Sequence, residues 1–386
     1  MKNNRTFLEK LLNGAEVEWK PLWSVTTWDK RFNAVEKEKQ PKVIKYHYYL
    51  ASELKPLIVD GGNVKLLTTN ESDIWTTEEL VQSNISEGEI IAIPWGGNPI
   101  VQYYKGKFVT ADNRIATSNN TKILDNKFLY YFLLSKLDVI SSFYRGSGIK
   151  HPSMYHVLEM LIPIPPLSVQ IEIVKILDAL TTLTSELTSE LILRQKQYEY
   201  YREKLLSFDS LEQLNSGGGE KKLIDVAKIK NGKDWKHLEE GNIPIYGSGG
   251  IMGYVDTYSY DKPTVLIPRK GTITNIFYLE EPFWNVDTIY YTEIDTTQIL
   301  PKYFYHFMKT VDLTKLDTGS GRPSLTQAIL NEIPIFVPSI EEQQRIVSIL
   351  DKFETLTNSI TEGLPLAIEQ SQKRYEYYRE LLLSFS

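Results

Sequence analysis

The sequence predicts an α+β protein: two mixed α/β globular units separated by two long antiparallel coiled-coil helices, with an internal pseudo-twofold repeat. Three observations carry this. Tyr-Glu-Tyr-Tyr-Arg-Glu stands at 198–203 and again at 375–380, each time followed one residue later by Leu-Leu-Ser-Phe. Ile-Val-x-Ile-Leu-Asp precedes each copy, at 173–178 and 346–351. The rest of the chain holds short runs of Val, Ile, Tyr and Phe broken by Gly, Pro and Asn, which read as short strands with tight loops. A hexapeptide so aromatic and charged recurs by duplication, and duplication decides architecture before any local reading does.

The repeat extends over the chain. Gly146-Ser147-Gly148 aligns with Gly319-Ser320-Gly321, and Pro165 with Pro338. Ile90 to Pro94 matches Thr264 to Pro268, Phe108 to Asp112 matches Phe283 to Asp287, and Lys127 to Phe132 matches Lys302 to Phe307. At the N-terminus, Leu8 to Leu12 resembles Arg202 to Leu206, the tail of the central helix. The expected order is a helix tail (1–16), a globular unit (17–167), a central helix (168–214), a second globular unit (215–338) and a C-terminal helix (339–386). Strands are expected at 88–94 and 263–268, and helices near 127–143 and 301–311.

At 386 residues the chain is long enough for two or three domains, each with its own core. Hydrophobic content of 42% and charged content of 24% are ordinary for a globular protein. No cysteine is present, which excludes disulfides and thiolate metal sites. No signal peptide and no run of about 18 apolar residues is visible, so a cytoplasmic protein without membrane contact is expected. The net charge of −6 argues against a nucleic-acid binder until it is located. Residues 168–214 and 339–386 each carry five basic and eight acidic side chains, so the helices hold all the excess acid and the globular units are neutral.

In the central helix, positions 173, 177, 180, 184, 187, 191, 194, 198, 201, 205 and 208 alternate by four and three and are almost all apolar or aromatic, the coiled-coil template. Ser168 is a candidate cap. The C-terminal helix repeats the seam at Ile346, Leu350, Phe353, Thr357 and Ile360, then at Tyr375, Tyr378, Leu382 and Phe385. Ser339-Ile340-Glu341-Glu342 reads as its capping box. Four extra residues between its two shared blocks form a stutter, and Gly363 and Pro365 predict a kink or break there. Each helix of about 40 residues would be about 60 Å long. Periodicity alone fits a dimerisation rod equally well.

Several loops combine Gly with polar, basic or aromatic residues. In the first unit they carry Lys30 and Arg31, Trp95 and Asn98, and Arg145 and Lys150. In the second they carry Lys233, Ser248, the group Arg269, Lys270 and Thr272, and Arg322. Such loops let backbone approach phosphates while side chains reach base edges. Taken singly, each also reads as a hairpin turn with a solvated charge. No Walker A motif, dinucleotide fingerprint or methyltransferase tetrapeptide is present, and the five histidines show no metal-ligand spacing. The pattern is that of a reader and scaffold; a coiled-coil adaptor binding only proteins is the alternative, and a carbohydrate-binding pair a more distant one.

Two diverged units alternate with near-identical helices. Each unit closes on a Gly-Ser-Gly loop and an Ile-Pro-Ile or Ile-Phe-Val-Pro segment, followed by Gln170 or Gln343-Gln344 and the two shared blocks. Trp19-Lys20-Pro21-Leu22 opens the first unit; Lys222 to Val226 stands there in the second, without the Trp. This combination resembles the specificity subunit of type I restriction-modification enzymes over essentially the whole chain. The resemblance implies that each unit is a target recognition domain reading one half of a split double-stranded DNA target. It also implies that the helices set the spacer and dock two methylation subunits, to which restriction subunits can add. S-adenosylmethionine, ATP and Mg are then expected on those partners, with no cofactor, metal or catalytic residue on this chain. Residues 32–75 have no counterpart in the second unit, so the two half-sites should differ. Tyr200, Arg202, Tyr377 and Arg379, taken as exposed on the helices, are the candidate docking contacts.

Overall fold

The computed structural model describes residues 7–213, 218–319 and 321–385. Ser320 of the second Gly-Ser-Gly loop, the first six residues of the N-terminal tail, Ser386 and the expected boundary at 214–215 lie outside the described residues. The chain divides into two compact units, one made of Met1–Ser185 with Glu369–Ser386, the other of Glu186–Ile368. Among the described residues no helix is long and apolar enough to cross a membrane.

In the first unit, β1 (Glu18–Pro21) pairs with β10 (Leu161–Ile164), Trp19 opposite Pro163. The main sheet has the order β2 (Thr26–Trp28), β7 (Asn113–Ser118), β5 (Ser86–Pro94), β6 (Gln102–Thr110), β3 (Val64–Leu67) and β4 (Trp75–Thr76). The stretch without counterpart supplies β3 and β4, which extend one edge of this sheet. A two-residue pair, β8 (Tyr144–Arg145) and β9 (His151–Pro152), carries the Gly-Ser-Gly loop. The second half of β5 is buried on both faces. Ile91 and Ile93 enter the core with Phe128 and Phe132 of the helix Asn126–Ser135, whereas Ile90 and Ala92 face Phe108 and Ile115. This is the period-two alternation of a strand with two covered faces.

In the second unit, β11 (Gly219–Lys222) pairs with β19 (Pro334–Val337). A four-stranded sheet runs β12 (Ala227–Lys230), β18 (Ile289–Ile294), β15 (Thr264–Pro268), β16 (Phe277–Leu279); a three-stranded one runs β14 (Gly250–Val255), β13 (Ile243–Gly247), β17 (Trp284–Asn285). β15 repeats the division seen in β5: Val265 and Ile267 pack with Phe304 and Phe307 of the helix Pro301–Met308, and Leu266 packs with Phe283 and Ile289.

Each unit is fastened to a long helix by the same side chains. Gln170 Nε2 donates to the carbonyls of Ile123 and Pro165, both at 2.8 Å, and its Oε1 accepts from Asp125 N at 2.8 Å. Gln343 does the same with Gln298 O (3.0 Å), Pro338 O (2.8 Å) and Leu300 N (2.7 Å). Asp178 accepts from Lys127 Nζ (2.7 Å) and the Tyr131 hydroxyl (2.6 Å); Asp351 accepts from Lys302 Nζ (2.7 Å) and His306 Nε2 (2.9 Å). A satisfied amide or carboxylate at a buried joint fixes the angle between elements, because the unpaired alternative costs more than any slip would return.

The central helix is continuous from Leu167 to Leu206, and its 4-3 positions from 173 to 198 are all buried or half-buried. It begins one residue before Ser168, which lies in the first turn and not at the cap. In the first unit, Ile173 and Leu177 share a core with Leu382, and Thr184 Oγ1 lies 2.8 Å from Ser371 Oγ. The two segments therefore run in opposite directions there. In the second unit, Tyr198 and Tyr201 stack on Phe353 at 6.4 and 5.7 Å. The C-terminal helix breaks as expected, into Ile340–Asn358 and Gly363–Leu383. Gly363 has φ +80°, and a Cβ there would lie 2.6 Å from Thr355 O, so only glycine fits the turn. Its capping box is half formed. Ser339 Oγ accepts from Glu342 N at 3.3 Å, but the Glu342 carboxylate turns to Arg345 at 2.6 Å and leaves the reciprocal bond unmade. The short helix Phe7–Leu12 precedes β1 at the interval at which Phe208–Gln213 precedes β11. Its structural equivalent is thus that separate helix, and not Arg202 to Leu206.

Candidate nucleic-acid interface

In the first unit three loops meet beyond the end of β5. Trp95 N donates to Asp112 O at 3.0 Å. Gly97, at φ +98°, donates to Lys150 O at 3.0 Å and so ties the Trp95–Asn98 loop to the β8–β9 loop. The segment after β2 joins them: Asp29 exchanges hydrogen bonds with Ile115, and Lys30 Nζ lies 5.5 Å from the Trp95 ring. The structure thereby gathers Lys30, Trp95 and Lys150, with Asn98 and Arg145 exposed on the same loops. Arg31 is exposed and donates to Pro41 O at 3.3 Å, towards the inserted stretch.

Beneath Trp95 lies a polar group that the sequence did not single out. Arg114 is 1% exposed, and its Cζ is 4.2 Å from the Trp95 ring centroid. Its guanidinium donates to Asp112 at 2.7 Å and to Asn113 O at 2.8 Å, and lies 3.6 Å from Asp29. The Tyr48 hydroxyl donates to Asp29. Burial pushes the Asp29 carboxyl up to about 6 although Arg114 pulls it down. A paired, stacked arginine is the form in which a cation tolerates such burial. Arg114 sits on a strand covered on both faces, so no alternation marks it as functional, and Asp29 reaches it only through the β2–β7 pairing.

The second unit repeats the loop junction with different chemistry. Arg269 N and Lys270 N donate to Thr288 O at 2.9 and 3.3 Å, and Gly271, at φ +90°, donates to Pro323 O at 3.1 Å. The turn after β13 joins them, with Ser248 N donating to Thr288 Oγ1 at 3.2 Å and Asn275 Nδ2 donating to Ser248 O at 3.0 Å. Ser248, Arg269 and Lys270 are therefore brought together beside the loop bearing Arg322, with Thr272 and Arg322 exposed. Lys270 pairs with Asp287 at 2.6 Å, a surface pair worth about 0–1 kcal/mol that a phosphate can displace. Lys233 is held by its backbone N–H on Asn285 O at 2.9 Å, with an exposed side chain. Where the first unit has Trp95 and Arg114, the aligned positions here hold Arg269 and the buried Ile289.

Of the candidate docking residues, Tyr200 and Tyr377 are 57% and 62% exposed. Arg202 and Arg379 are half-buried, not exposed: each lays its guanidinium over the tyrosine one turn earlier, at 5.2 Å from Tyr198 and 5.4 Å from Tyr375. Spacing of i, i+4 and a long apolar stem favour that pose. Tyr201 is 41% exposed although the heptad places it on the seam. His306, Asp351 and Glu354 bring metal-type donors within 4.8 Å of one another, but Lys302 and Tyr305 already pair with the carboxylates, which makes the group a joint between elements.

The family model for the type I restriction modification DNA specificity domain matches residues 33–194 and 215–370. A Haemophilus influenzae protein named "Putative type I restriction enzyme specificity subunit" is 42% identical over 100% of both chains. A type I restriction enzyme specificity subunit of Escherichia coli is 32% identical over 98% of this chain and 97% of its own. Among solved structures, the type I restriction-modification S subunit from M. genitalium covers 97% of this chain and 98% of its own, with TM-score 0.65 and 22% identity, a likeness of fold. With both globular units matched by the family model and relatives of more than 30% identity running its length, the chain belongs to the type I restriction-modification specificity subunits, the DNA-recognition components of those systems.

Proposed function

We propose that each globular unit is a target recognition domain for one half of a bipartite, asymmetric double-stranded DNA target. The domains would span about 17–167 and 215–338, with Lys30, Arg31, Trp95, Asn98, Arg145 and Lys150 serving the first half-site and Lys233, Ser248, Arg269, Lys270, Thr272 and Arg322 the second. One observation carries this reading. In both units a left-handed glycine donates from the loop after the central strand to the Gly-Ser-Gly loop, at 3.0 Å from Gly97 and 3.1 Å from Gly271. The frame repeats while the side chains on it differ, as two readers of different sequences require.

In the same reading the long helices pair as an antiparallel coiled coil that sets the unread gap and docks two methylation subunits, with restriction subunits adding to them. Half-sites read from one face of the duplex lie about 34–36 Å apart per helical turn. S-adenosylmethionine, ATP and Mg belong to those partners, this chain contributing recognition and no catalytic group, in the cytoplasm. Because methylation of a base within a duplex requires flipping it out, the readers must hold distorted DNA. The test is co-expression with the methylation subunits in a methylation-free host, followed by mapping of modified adenines. A split, asymmetric motif is the expected result; a methylase complex that modifies no defined motif overturns the proposal in favour of a protein-only adaptor.

A further inference from the structure

We infer that His151 is a specificity-determining residue of the first recognition domain, reading an exocyclic amino group, N6 of adenine or N4 of cytosine, at one position of its half-site. The inference rests on the DNA-reading role proposed above and deepens it.

His151 opens β9 and is exposed, yet its ring is held from three sides. Nδ1 lies 2.7 Å from the Trp95 carbonyl oxygen. The imidazole packs at 5.3 Å from the Trp95 ring, tilted by 41°. Behind it stands Gly96, where a Cβ would lie 3.0 Å from His151 Cε1, 3.1 Å from Nδ1 and 2.9 Å from Ile149 Cγ2, so any other residue would have to displace the ring. Trp95 is in turn backed by Arg114 at 4.2 Å. An exposed side chain fixed this tightly is unusual, because ordering it against solvent loses rotamer entropy that a merely solvated histidine would keep.

The tautomer follows from the partner. A carbonyl oxygen only accepts, so Nδ1 carries the proton and donates. In the neutral ring Nε2 is then a bare acceptor, and it is the nitrogen left free of the loop junction. The loops that meet at this junction also carry Lys30, Asn98, Arg145 and Lys150, groups that offer donors to phosphates and to guanine. In the major groove the groups that donate to an acceptor are the amino groups of adenine and cytosine. The fixed Nδ1–H bond removes the tautomer that would present a donor, which is what gives the position its discrimination. The second unit has no imidazole there: Pro323, whose carbonyl accepts from Gly271, stands at the place of Lys150, and Ser324 at that of His151.

The test maps the methylated motif of the complete methylase complex, assembled at pH 8 with His151→Phe, His151→Asn or Gly96→Ala. His151→Phe keeps the ring and loses the acceptor. His151→Asn keeps a donor to the Trp95 carbonyl and loses the reach of Nε2. Gly96→Ala moves an unaltered histidine. The expected result is the same single position relaxed about 10–100-fold in the first half-site for all three, the usual worth of one base contact, with the second half-site unchanged. A wild-type complex with a bipartite motif, together with a His151→Phe complex of undiminished motif, overturns this inference and leaves the proposed function standing. Equal loss at both half-sites also overturns it, since that marks a structural role. A wild-type complex without a bipartite motif overturns the proposed function itself.

Discussion

His306 donates from Nε2 to Oδ1 of Asp351 at 2.9 Å, in the place where the first unit uses the hydroxyl of Tyr131 on Asp178. The histidine is fully buried, and burial holds its pKa below the ordinary 6.5 despite the adjacent carboxylate. At neutral pH the ring is therefore uncharged, the contact is a hydrogen bond, and Lys302 at 2.7 Å balances the charge of Asp351. The unfolded chain takes up a proton near 6.5 and the folded one only lower, so the unfolded state binds more protons in that window and stability falls as pH drops through it. The contribution of His306 to the urea midpoint should therefore fall from pH 7.5 to 5.5, with Asp29 of the first unit working in the opposite direction. His306→Gln, which keeps a donor and cannot titrate, should remove that contribution from the profile. An identical slope in the variant would assign the titration to other groups.

Arg114 and Asp29 predict a pH dependence of a different origin. Arg114→Met leaves a buried carboxylate without its counter-charge, which costs about 3–5 kcal/mol. Asp29, already raised to about 6, escapes that cost by taking a proton. An acid whose folded pKa lies above its unfolded one binds more protons folded, so its burden on stability is full above the folded pKa and fades as pH falls towards the unfolded one. The variant's deficit in urea unfolding should therefore be large at pH 7.5 and shrink clearly by pH 5. A deficit equal at both values would mean that lost packing under Trp95, and not the stranded charge, dominates.

The seam of the central helix was legible because Ile173, Leu177 and Tyr198 obey a local period, and periodicity needs no tertiary knowledge. The break at Gly363 was legible for the same reason, since backbone constraint is written in residue type. Gln170 and Gln343 were visible only as repeated letters; their hydrogen bonds reach residues 45 and 43 positions away. Arg114 and His151 were hidden more deeply. Their surroundings are assembled by strand pairing and by a loop contact 56 residues distant in the chain, which no spacing rule encodes. That Arg202 and Arg379 are half-buried where exposure was expected has a related cause. Heptad position tells where a Cβ points, but a long side chain can lie back over its neighbour.

The glutamine joints should behave alike. Gln170→Leu strands one N–H and two carbonyls, of Asp125, Ile123 and Pro165, and Gln343→Leu strands those of Leu300, Gln298 and Pro338. Leaving such groups unpaired costs about 1–3 kcal/mol each, less where water can enter. Each variant should lose about 3 kcal/mol in denaturant unfolding, and Gln→Glu should lose no less, because it puts a buried acceptor oxygen against two carbonyl oxygens. A loss under 1 kcal/mol for Gln170→Leu would show that water replaces the amide.

The spacer prediction turns on a difference between the two helices. Twenty residues separate Asp178 from Tyr198, and four more separate Asp351 from Tyr375, the excess being taken up at the break before Gly363. The central helix has no such break, so residues added to it cannot be absorbed locally. Four residues inserted between 178 and 198 add about 6 Å of helix, close to two base-pair steps of about 3.4 Å. If the helices set the unread gap, the methylated motif of the insertion variant should keep both half-sites and widen the gap by about two base pairs. Four residues restore the seam in the manner of a stutter, so the pairing of the helices should survive the change. An unaltered gap with both half-sites intact would mean that the gap is set by the partner subunits or by bending of the DNA, and the helices would then keep only their docking role.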